Sequence, residues 1–292
     1  MTGLQLSIKN LAVSKYLNKR LTIFLFHEIG LKPSRFHEKA GTFMHLEKFE
    51  EIVDWISQSF SVESMNSLIS GQALGKRPCI LTFDDTWKGA ITLASELLAR
   101  QKLPATYFLN SSVLDGYPDL AAHAHLIHSD RQWPTAQVGD ELRTTFTKAN
   151  VQPFSGETAT WEDVKNLDPH LFTLGNHLYW HSDTSTGSPE NFRTNFTENT
   201  KRLTEFPNFR QVLAFPYGRE NKHFTSTHIK MAEFLGAEKS FSSNSGSNRN
   251  VKNFLLRRTA PVFQISPQEI LQQVLDADIR RHAQSLSKSF NK

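Results

Sequence analysis

Short apolar runs alternate with amphipathic helical segments along most of this chain, and this alternation limits its possible folds more than any other feature. Runs with the length and composition of buried strands lie at residues 22–26, 79–83, 105–109, 171–175 and 212–215. Residues 46–60 place their apolar side chains on one helical face. Strands that alternate with helices form parallel sheets, so we expect an α/β protein. About seven such units favour a closed or nearly closed barrel, with a doubly wound open sheet as the alternative.

Two loop-rich segments interrupt the pattern. Residues 115–159 are rich in glycine and proline and show little periodicity, which is typical of an insertion over a scaffold. Residues 242–253 are rich in serine, asparagine and glycine, which is typical of a mobile loop. We therefore predict a single domain over residues 21–282 that carries the insertion. A basic segment at 1–20 precedes this domain, and a basic tail at 283–292 follows it.

The charge balance and the apolar runs narrow the possible partners. The chain has 33 basic and 29 acidic residues, a net charge of +4, so we expect no nucleic-acid partner. The positive excess lies at the two ends of the chain, which fits solvated ends or contact with anionic lipid or a phosphorylated substrate. No apolar run reaches the ~20 residues of a membrane helix, so any membrane contact would be peripheral. The first 20 residues lack a secretory signal and Cys79 is the single cysteine, so we expect a cytoplasmic protein.

Chemically active side chains follow the predicted strands at the point where each strand ends. These residues are His27 and Glu28, Asp84 and Asp85, His177 and His181, and Pro216 and Tyr217. In a parallel barrel the carboxyl ends of the strands share one face, and that face holds the active site. The sequence therefore predicts that these side chains meet at one end of the barrel.

The histidines have the spacing of a metal site. His177 and His181 are four residues apart, so both imidazoles can reach one ion, and a carboxylate from Asp84 or Asp85 would complete the ligand set. The remaining aspartate would be free to act as a base, since neighbouring side chains of an extended segment point in opposite directions. Local packing of both histidines is the alternative interpretation.

Three motifs in order resemble those of the polysaccharide deacetylase family, also called the NodB-homology or carbohydrate esterase family 4. They are Thr82-Phe83-Asp84-Asp85, His177-x-x-x-His181 and Phe215-Pro216-Tyr217-Gly218. Residues 26–29, 103–108 and 256–258 are also similar to segments of this family. The resemblance extends from about residue 21 to residue 270, apart from the insertion.

The resemblance implies a fold, a cofactor and a reaction. The fold would be a distorted (β/α) barrel, and the reaction would be hydrolysis of an N-acetyl group on an amino sugar. Asp84 would be the catalytic base, and Asp85, His177 and His181 would bind one divalent metal ion. That ion would be zinc, with cobalt or nickel as substitutes. The substrate would be a polysaccharide, an oligosaccharide or a glycoconjugate precursor.

Further roles follow from the chemistry of amide hydrolysis. The developing oxyanion needs a donor, and the backbone N–H of Tyr217 is our candidate. The leaving amine needs a proton, and His27 is our candidate acid because the family's late Leu-x-His motif is absent. We expect Pro216, Trp180 and Arg258 to contact the substrate.

The sequence departs from the family pattern at two other positions. Thr86 stands where the first motif normally ends in glycine, and Ala214 stands where many members carry an arginine that orients the base.

Two functions other than deacetylation stay open. One alternative is a non-catalytic carbohydrate-binding relative, which the missing acid motif favours. The other is an iron(II) oxygenase, because two histidines and a carboxylate also form that metal site.

Overall fold

The computed structural model describes residues 15–33, 37, 41–117, 157–185, 187–261 and 266–290. Residues 1–14 of the predicted N-terminal segment and residues 118–156 of the predicted insertion lie outside the described residues.

Within the described residues, ten β-strands form one large sheet and one small sheet. Their bounds are β1 Thr22–Phe26, β2 Glu28–Gly30, β3 Phe43–His45, β4 Ser61–Val62, β5 Pro78–Phe83, β6 Ala105–Leu109, β7 Phe172–Asn176, β8 Phe209–Ala214, β9 Lys239–Ser242 and β10 Leu255–Arg257. The large sheet is parallel and has the order β1-β5-β6-β7-β8-β9-β10, with β4 paired to the start of β5. Strands β2 and β3 form a separate parallel pair.

The large sheet curls until its first and last strands nearly meet. Thr259, just after β10, donates its N–H to the Ile23 carbonyl at 2.8 Å and accepts the N–H of Leu25 at 2.9 Å. Asn248 and Leu21 exchange backbone hydrogen bonds of 2.8 and 2.9 Å on the same side. The result is a nearly closed barrel of seven parallel strands, so the predicted distorted (β/α) barrel is confirmed and the open sheet is wrong.

Helices connect the strands and cover the barrel. Their bounds are α1 Leu46–Ser59, α2 Met65–Ile69, a π-helical turn Ala90–Ala94 that continues into α3 Ser95–Arg100, α4 Ser111–Leu114, α5 Trp161–Lys165, α6 Pro189–Leu203, α7 Ser226–Phe234 and α8 Pro267–Phe290. Helix α1 buries Phe49, Ile52, Val53 and Ile56, as its spacing predicts. No described helix is both long enough and apolar enough to cross a membrane.

The structure differs from the sequence prediction at three places. Strand β8 begins at Phe209, not at residue 212, because its first three residues are only half-buried and lack an apolar run. Helix α8 continues through Phe290, so residues 283–290 of the predicted basic tail are helical. The loop at 242–253 is anchored, since the Asn248 side chain bonds the backbone of Arg257 and Ser247 bonds Asp278.

Aromatic side chains support the strands that carry the site. The ring of Phe26 in β1 packs against Phe49 of α1 at 5.2 Å and against Phe83 of β5 at 5.5 Å. Phe83 in turn stacks on Tyr107 of β6 at 4.9 Å. All four side chains are buried, so the carboxyl ends of β1, β5 and β6 are seated on a rigid layer.

Candidate metal centre

The structure brings the three predicted metal ligands together at the carboxyl ends of β5 and β7. The Asp85 Oδ1 atom lies 3.3 Å from His177 Nε2 and 3.1 Å from His181 Nε2. One ligand atom from each residue lies within 4.8 Å of the other two. Asp85 follows β5, whereas both histidines follow β7, so the barrel places them beside each other across the end of β6.

Neighbouring groups orient these ligand atoms. His177 Nδ1 donates to the Ala214 carbonyl at 2.8 Å, because a carbonyl can only accept, and Nε2 on the other side of the ring faces Asp85. Trp87 Nε1 donates to Asp85 Oδ2 at 2.9 Å, which directs Oδ1 toward the histidines. Histidine ligands of metals usually have such a second hydrogen bond. Two imidazole nitrogens and one carboxylate oxygen that face one another are a ligand set of divalent metal ions, so these residues fit such an ion.

Asp85 carries the negative charge that a cation site needs. Burial raises its pKa, but His181 and His177 outweigh that effect and hold the pKa well below its usual range. The carboxylate is therefore ionised at neutral pH.

Asp84 is held apart from this ligand set by Arg258. The guanidinium bonds both carboxylate oxygens, with Nη1 2.5 Å from Oδ1 and Nη2 2.6 Å from Oδ2. Burial raises the pKa of Asp84, but the positive charge of Arg258 and the neighbouring His177 lower it by more. The net shift of the pKa is therefore downward. Asp84 Oδ2 lies 3.8 Å from His177 Nε2, so an ionised proton acceptor stands beside the candidate metal centre.

Arg258 differs in its surroundings from the predicted substrate contact. Its side chain is fully buried, and its guanidinium lies against the ring of Phe108 and on Asp84. Its contact with Asp84 is the kind of contact that the resemblance expects from an arginine at residue 214, where this chain has alanine. Substrate contact by Arg258 stays a prediction, and the observed contacts make it a positioning residue for Asp84.

His27 lies at the end of β1, beside the two aspartates. Burial lowers its pKa, and the negative charges of Asp85 and Asp84 oppose that shift. The net shift is downward, which favours the neutral imidazole at pH 7. His27 therefore has to gain a proton before it can act as an acid.

Aromatic residues border the centre on the side of β7 and β8. The Tyr217 ring is exposed and lies 4.9 Å from the ring of His181. Trp180 is half-buried and contacts the rings of Tyr117 at 5.1 Å and Tyr179 at 4.9 Å. Pro216 is buried just before Tyr217. Exposed aromatic rims of this kind suit stacking on sugar rings.

Backbone strain is concentrated in the three motifs. Asp85, Leu178, His181 and Tyr217 have positive φ values of 65°, 61°, 48° and 58°. Such conformations are uncommon for residues other than glycine and cost about 1–2 kcal/mol each. The surrounding contacts therefore hold this part of the chain against its local preference, as is common at functional sites.

Sequence reasoning missed a buried asparagine network that supports the histidine segment. Asn110 donates to the carbonyls of His177 and Leu178 at 2.5 and 2.8 Å, and Asn176 accepts the N–H of Leu178 at 2.7 Å. Asn199 of α6 links the ends of β6 and β7 by donating to the Leu109 carbonyl and to the Asn176 side chain. A signal was present, because Asn110 follows β6 and Asn176 ends β7 at the same rim.

Comparison with known proteins identifies the family. The family model described as polysaccharide deacetylase matches residues 71–238, which is more than half of the chain. The chain therefore belongs to the polysaccharide deacetylase family, and this membership supports a hydrolase that removes acetyl groups. A search of curated proteins gives no match.

Solved structures show the same fold at low sequence identity. The Streptococcus pyogenes deacetylase PplD in complex with acetate has a TM-score of 0.65 and 16% identity, over 87% of this chain and 98% of that one. IcaB from Ammonifex degensii has a TM-score of 0.59 and 19% identity, over 89% and 97%. The de-N-acetylase from Aggregatibacter actinomycetemcomitans has a TM-score of 0.61 and 14% identity, over 86% and 99%.

Proposed function

We propose that this protein is a metal-dependent hydrolase that removes the N-acetyl group of an amino sugar. The observation that carries the proposal is the cluster of Asp85, His177 and His181 ligand atoms within 4.8 Å of one another, beside an ionised Asp84. A polysaccharide, an oligosaccharide or a glycoconjugate precursor would supply the acetamido group.

Asp85, His177 and His181 would hold the metal ion. Two imidazole nitrogens and one carboxylate oxygen are ligands that suit zinc, with cobalt or nickel as substitutes. When bound, such an ion lowers the pKa of a coordinated water and polarises the amide carbonyl. The hydrogen bonds from His177 to Ala214 and from Trp87 to Asp85 would keep these ligands in place.

The protein's own residues would move the protons. Asp84 would accept a proton from the attacking water while the new C–O bond forms, and Arg258 would keep that carboxylate oriented. The backbone N–H of Tyr217 would donate to the amide oxygen as it gains negative charge. His27, once protonated, would give its proton to the nitrogen as the C–N bond breaks. The products are acetate and a free amine.

The site geometry bears on both alternatives. Iron oxygenases with this ligand set usually have an all-β fold, whereas this barrel is parallel α/β. A non-catalytic relative would not need an ionised aspartate held by a buried arginine next to the metal ligands. Metal dependence therefore decides between the deacetylase and the binding protein.

The first experiment measures the metal content of the purified protein and of the variants Asp85→Ala, His181→Ala and Asp84→Asn. We expect about one divalent ion per chain in the wild type and its loss in Asp85→Ala and His181→Ala. His170→Ala, at an exposed histidine outside the cluster, is the matched control and should keep the ion.

Acetate release from N-acetylated sugars is the second readout. Asp84→Asn should keep the metal and lose about 10²–10⁴-fold in rate, because the amide cannot accept the proton. A wild-type protein that takes up neither zinc nor cobalt would exclude the deacetylase and leave the binding protein. Turnover that requires oxygen would favour the oxygenase instead.

A further inference from the structure

A basic cavity lies on the outer side of the barrel, apart from the candidate metal centre. Its volume is about 280 Å³, and its walls come from the ends of β9 and β10, the loop after β9 and helix α8. Among its described lining residues are three arginines, Arg249, Arg257 and Arg281, and one carboxylate, Glu220. The lining therefore carries an excess of positive charge.

This cavity is distinct from the candidate metal centre, although the two share a wall. Neighbouring residues on a strand point in opposite directions, so Arg258 reaches inward to Asp84 while Arg257 lines the cavity. The backbone of Ser242 joins both sides, since its carbonyl accepts the N–H of Arg258 at 3.0 Å and the residue lines the cavity.

Arg257 carries a partly buried charge in the wall of this cavity. Its side chain is half-buried, and burial followed by the charge of Arg281 lowers its pKa, against the opposing effects of Glu220 and Asp278. Its guanidinium makes no hydrogen bond or ion pair with any residue in the described part of the chain, whereas Arg281 pairs with Asp278 at 2.7 Å. A partly desolvated charge without a partner is unfavourable, and an anion in the cavity would relieve it.

The walls are fixed by hydrogen bonds before any ligand arrives. The Asn248 side chain accepts the N–H of Arg257 at 2.9 Å and donates to its carbonyl at 2.8 Å. The buried Asp278 of α8 accepts the N–H of Ser247 at 3.1 Å and the hydroxyl of the same residue. Little ordering is therefore left for binding to bring about, which favours affinity.

We propose that this cavity binds a phosphate group, with Arg257 as the main contact and Arg249 and Arg281 beside it. Planar guanidinium groups match phosphate oxygens in geometry and charge, and three arginines line this cavity. The cavity volume of about 280 Å³ is close to the lower end for small-ligand pockets, so it is large enough to hold a phosphate group. Arg281 also belongs to the basic C-terminal end of the chain, which favours an anionic partner.

The test measures binding of inorganic phosphate and of glucose 1-phosphate by calorimetry at constant ionic strength. Glucose 1-phosphate has no acetyl group, so the result is independent of the proposed deacetylation. We expect Arg257→Gln to weaken binding about tenfold or more, as for loss of a hydrogen-bonded charge. Arg280→Gln makes the same change of charge on the exposed side of α8 and should bind like the wild type.

A second arm identifies the source of the phosphate, with vesicles of phosphatidylcholine with and without phosphatidylglycerol. If the wild type binds only the vesicles that contain phosphatidylglycerol, and Arg257→Gln does not bind them, the cavity binds a lipid headgroup. If Arg257→Gln fails to fold, Arg249→Gln replaces an exposed side chain and gives the same comparison. Equal binding by wild type, Arg257→Gln and Arg280→Gln, or no binding of any probe, would overturn the proposal.

Discussion

Arg258 and Asp84 form a buried ion pair that sets the charge of the candidate base. Both carboxylate oxygens accept from the guanidinium, and the two side chains are almost completely inaccessible. Without Arg258, burial would raise the pKa of Asp84 and favour its protonated form. The pair therefore matters for proton transfer more than for stability, since buried pairs gain little net free energy.

Arg258→Gln should destabilise the protein by about 3–5 kcal/mol at neutral pH, because it leaves Asp84 buried and uncompensated. Arg258 lowers the native pKa of Asp84, so the pair stabilises the fold above the unfolded pKa of about 3.9 and loses this effect as pH falls through the native pKa. The difference between wild type and variant should therefore narrow in acid.

Chemical denaturation at several pH values measures this difference in the free energy of unfolding. Arg280→Gln, at an exposed arginine, should stay within about 0.5 kcal/mol of the wild type. An Arg258→Gln protein as stable as that control would contradict the role given to the pair.

Residue spacing predicts the metal-binding part of the site but not the pairing of Arg258 with Asp84. His177 and His181 are close in the chain, and the two aspartates directly follow a strand, so their meeting could be predicted. Arg258 and Asp84 are 174 residues apart, and only closure of the barrel brings the end of β10 beside β1, whose other neighbour is β5. Two adjacent arginines at the end of a strand do not indicate by spacing alone which of them points inward.

At the scale of elements, helix α6 supports the segment 177–181, which carries the two histidines, through buried hydrogen bonds. Its Asn199 side chain is fully buried and bonds the ends of β6 and β7, and it also accepts the hydroxyl and N–H of Ser111 at the start of α4. The polar atoms of such a side chain have no water to replace lost partners. The conformation of Leu178, with φ of 61°, depends on the Asn176 side chain that Asn199 holds.

Asn199→Ala should lower the free energy of unfolding by about 2–4 kcal/mol, since it leaves several buried groups without partners. It should also weaken zinc binding, because the segment that carries His177 loses its support. Asn191→Ala makes the same side-chain change at an exposed position of the same helix, so it is the matched control and should change neither quantity. Unchanged zinc affinity in a folded Asn199→Ala protein would limit α6 to a structural role.

A helix start can be encoded locally, whereas a strand start can depend on distant parts of the chain. The cap of α5, in which Thr160 and Asp163 bond each other's backbone N–H groups, lies within four residues of sequence. The first residues of β8 lie at the exposed end of the barrel, where tertiary pairing with β7 makes the strand without an apolar run. Their strand structure is therefore a property of the whole sheet.

At the scale of the whole molecule, a bound ion would connect parts of the barrel that are far apart in the chain. Asp85 extends from β5 and the histidines from β7, with β6 between them. An ion that binds this geometry binds the folded state and not the unfolded chain, so it should raise the stability of the entire domain.

Removal of the metal by a chelator should therefore lower the Tm of the wild type. At a free ion concentration 100 times the Kd, binding contributes about 2.7 kcal/mol, which corresponds to roughly 5 °C for a domain of this size. Differential scanning calorimetry with zinc or with chelator measures the shift.

The control is His181→Ala, in which the shift should be absent and whose Tm should match that of the chelated wild type. A variant that melts well below the chelated wild type would show that His181 stabilises the fold by itself, and an equal zinc response in both proteins would mean that the ion binds elsewhere.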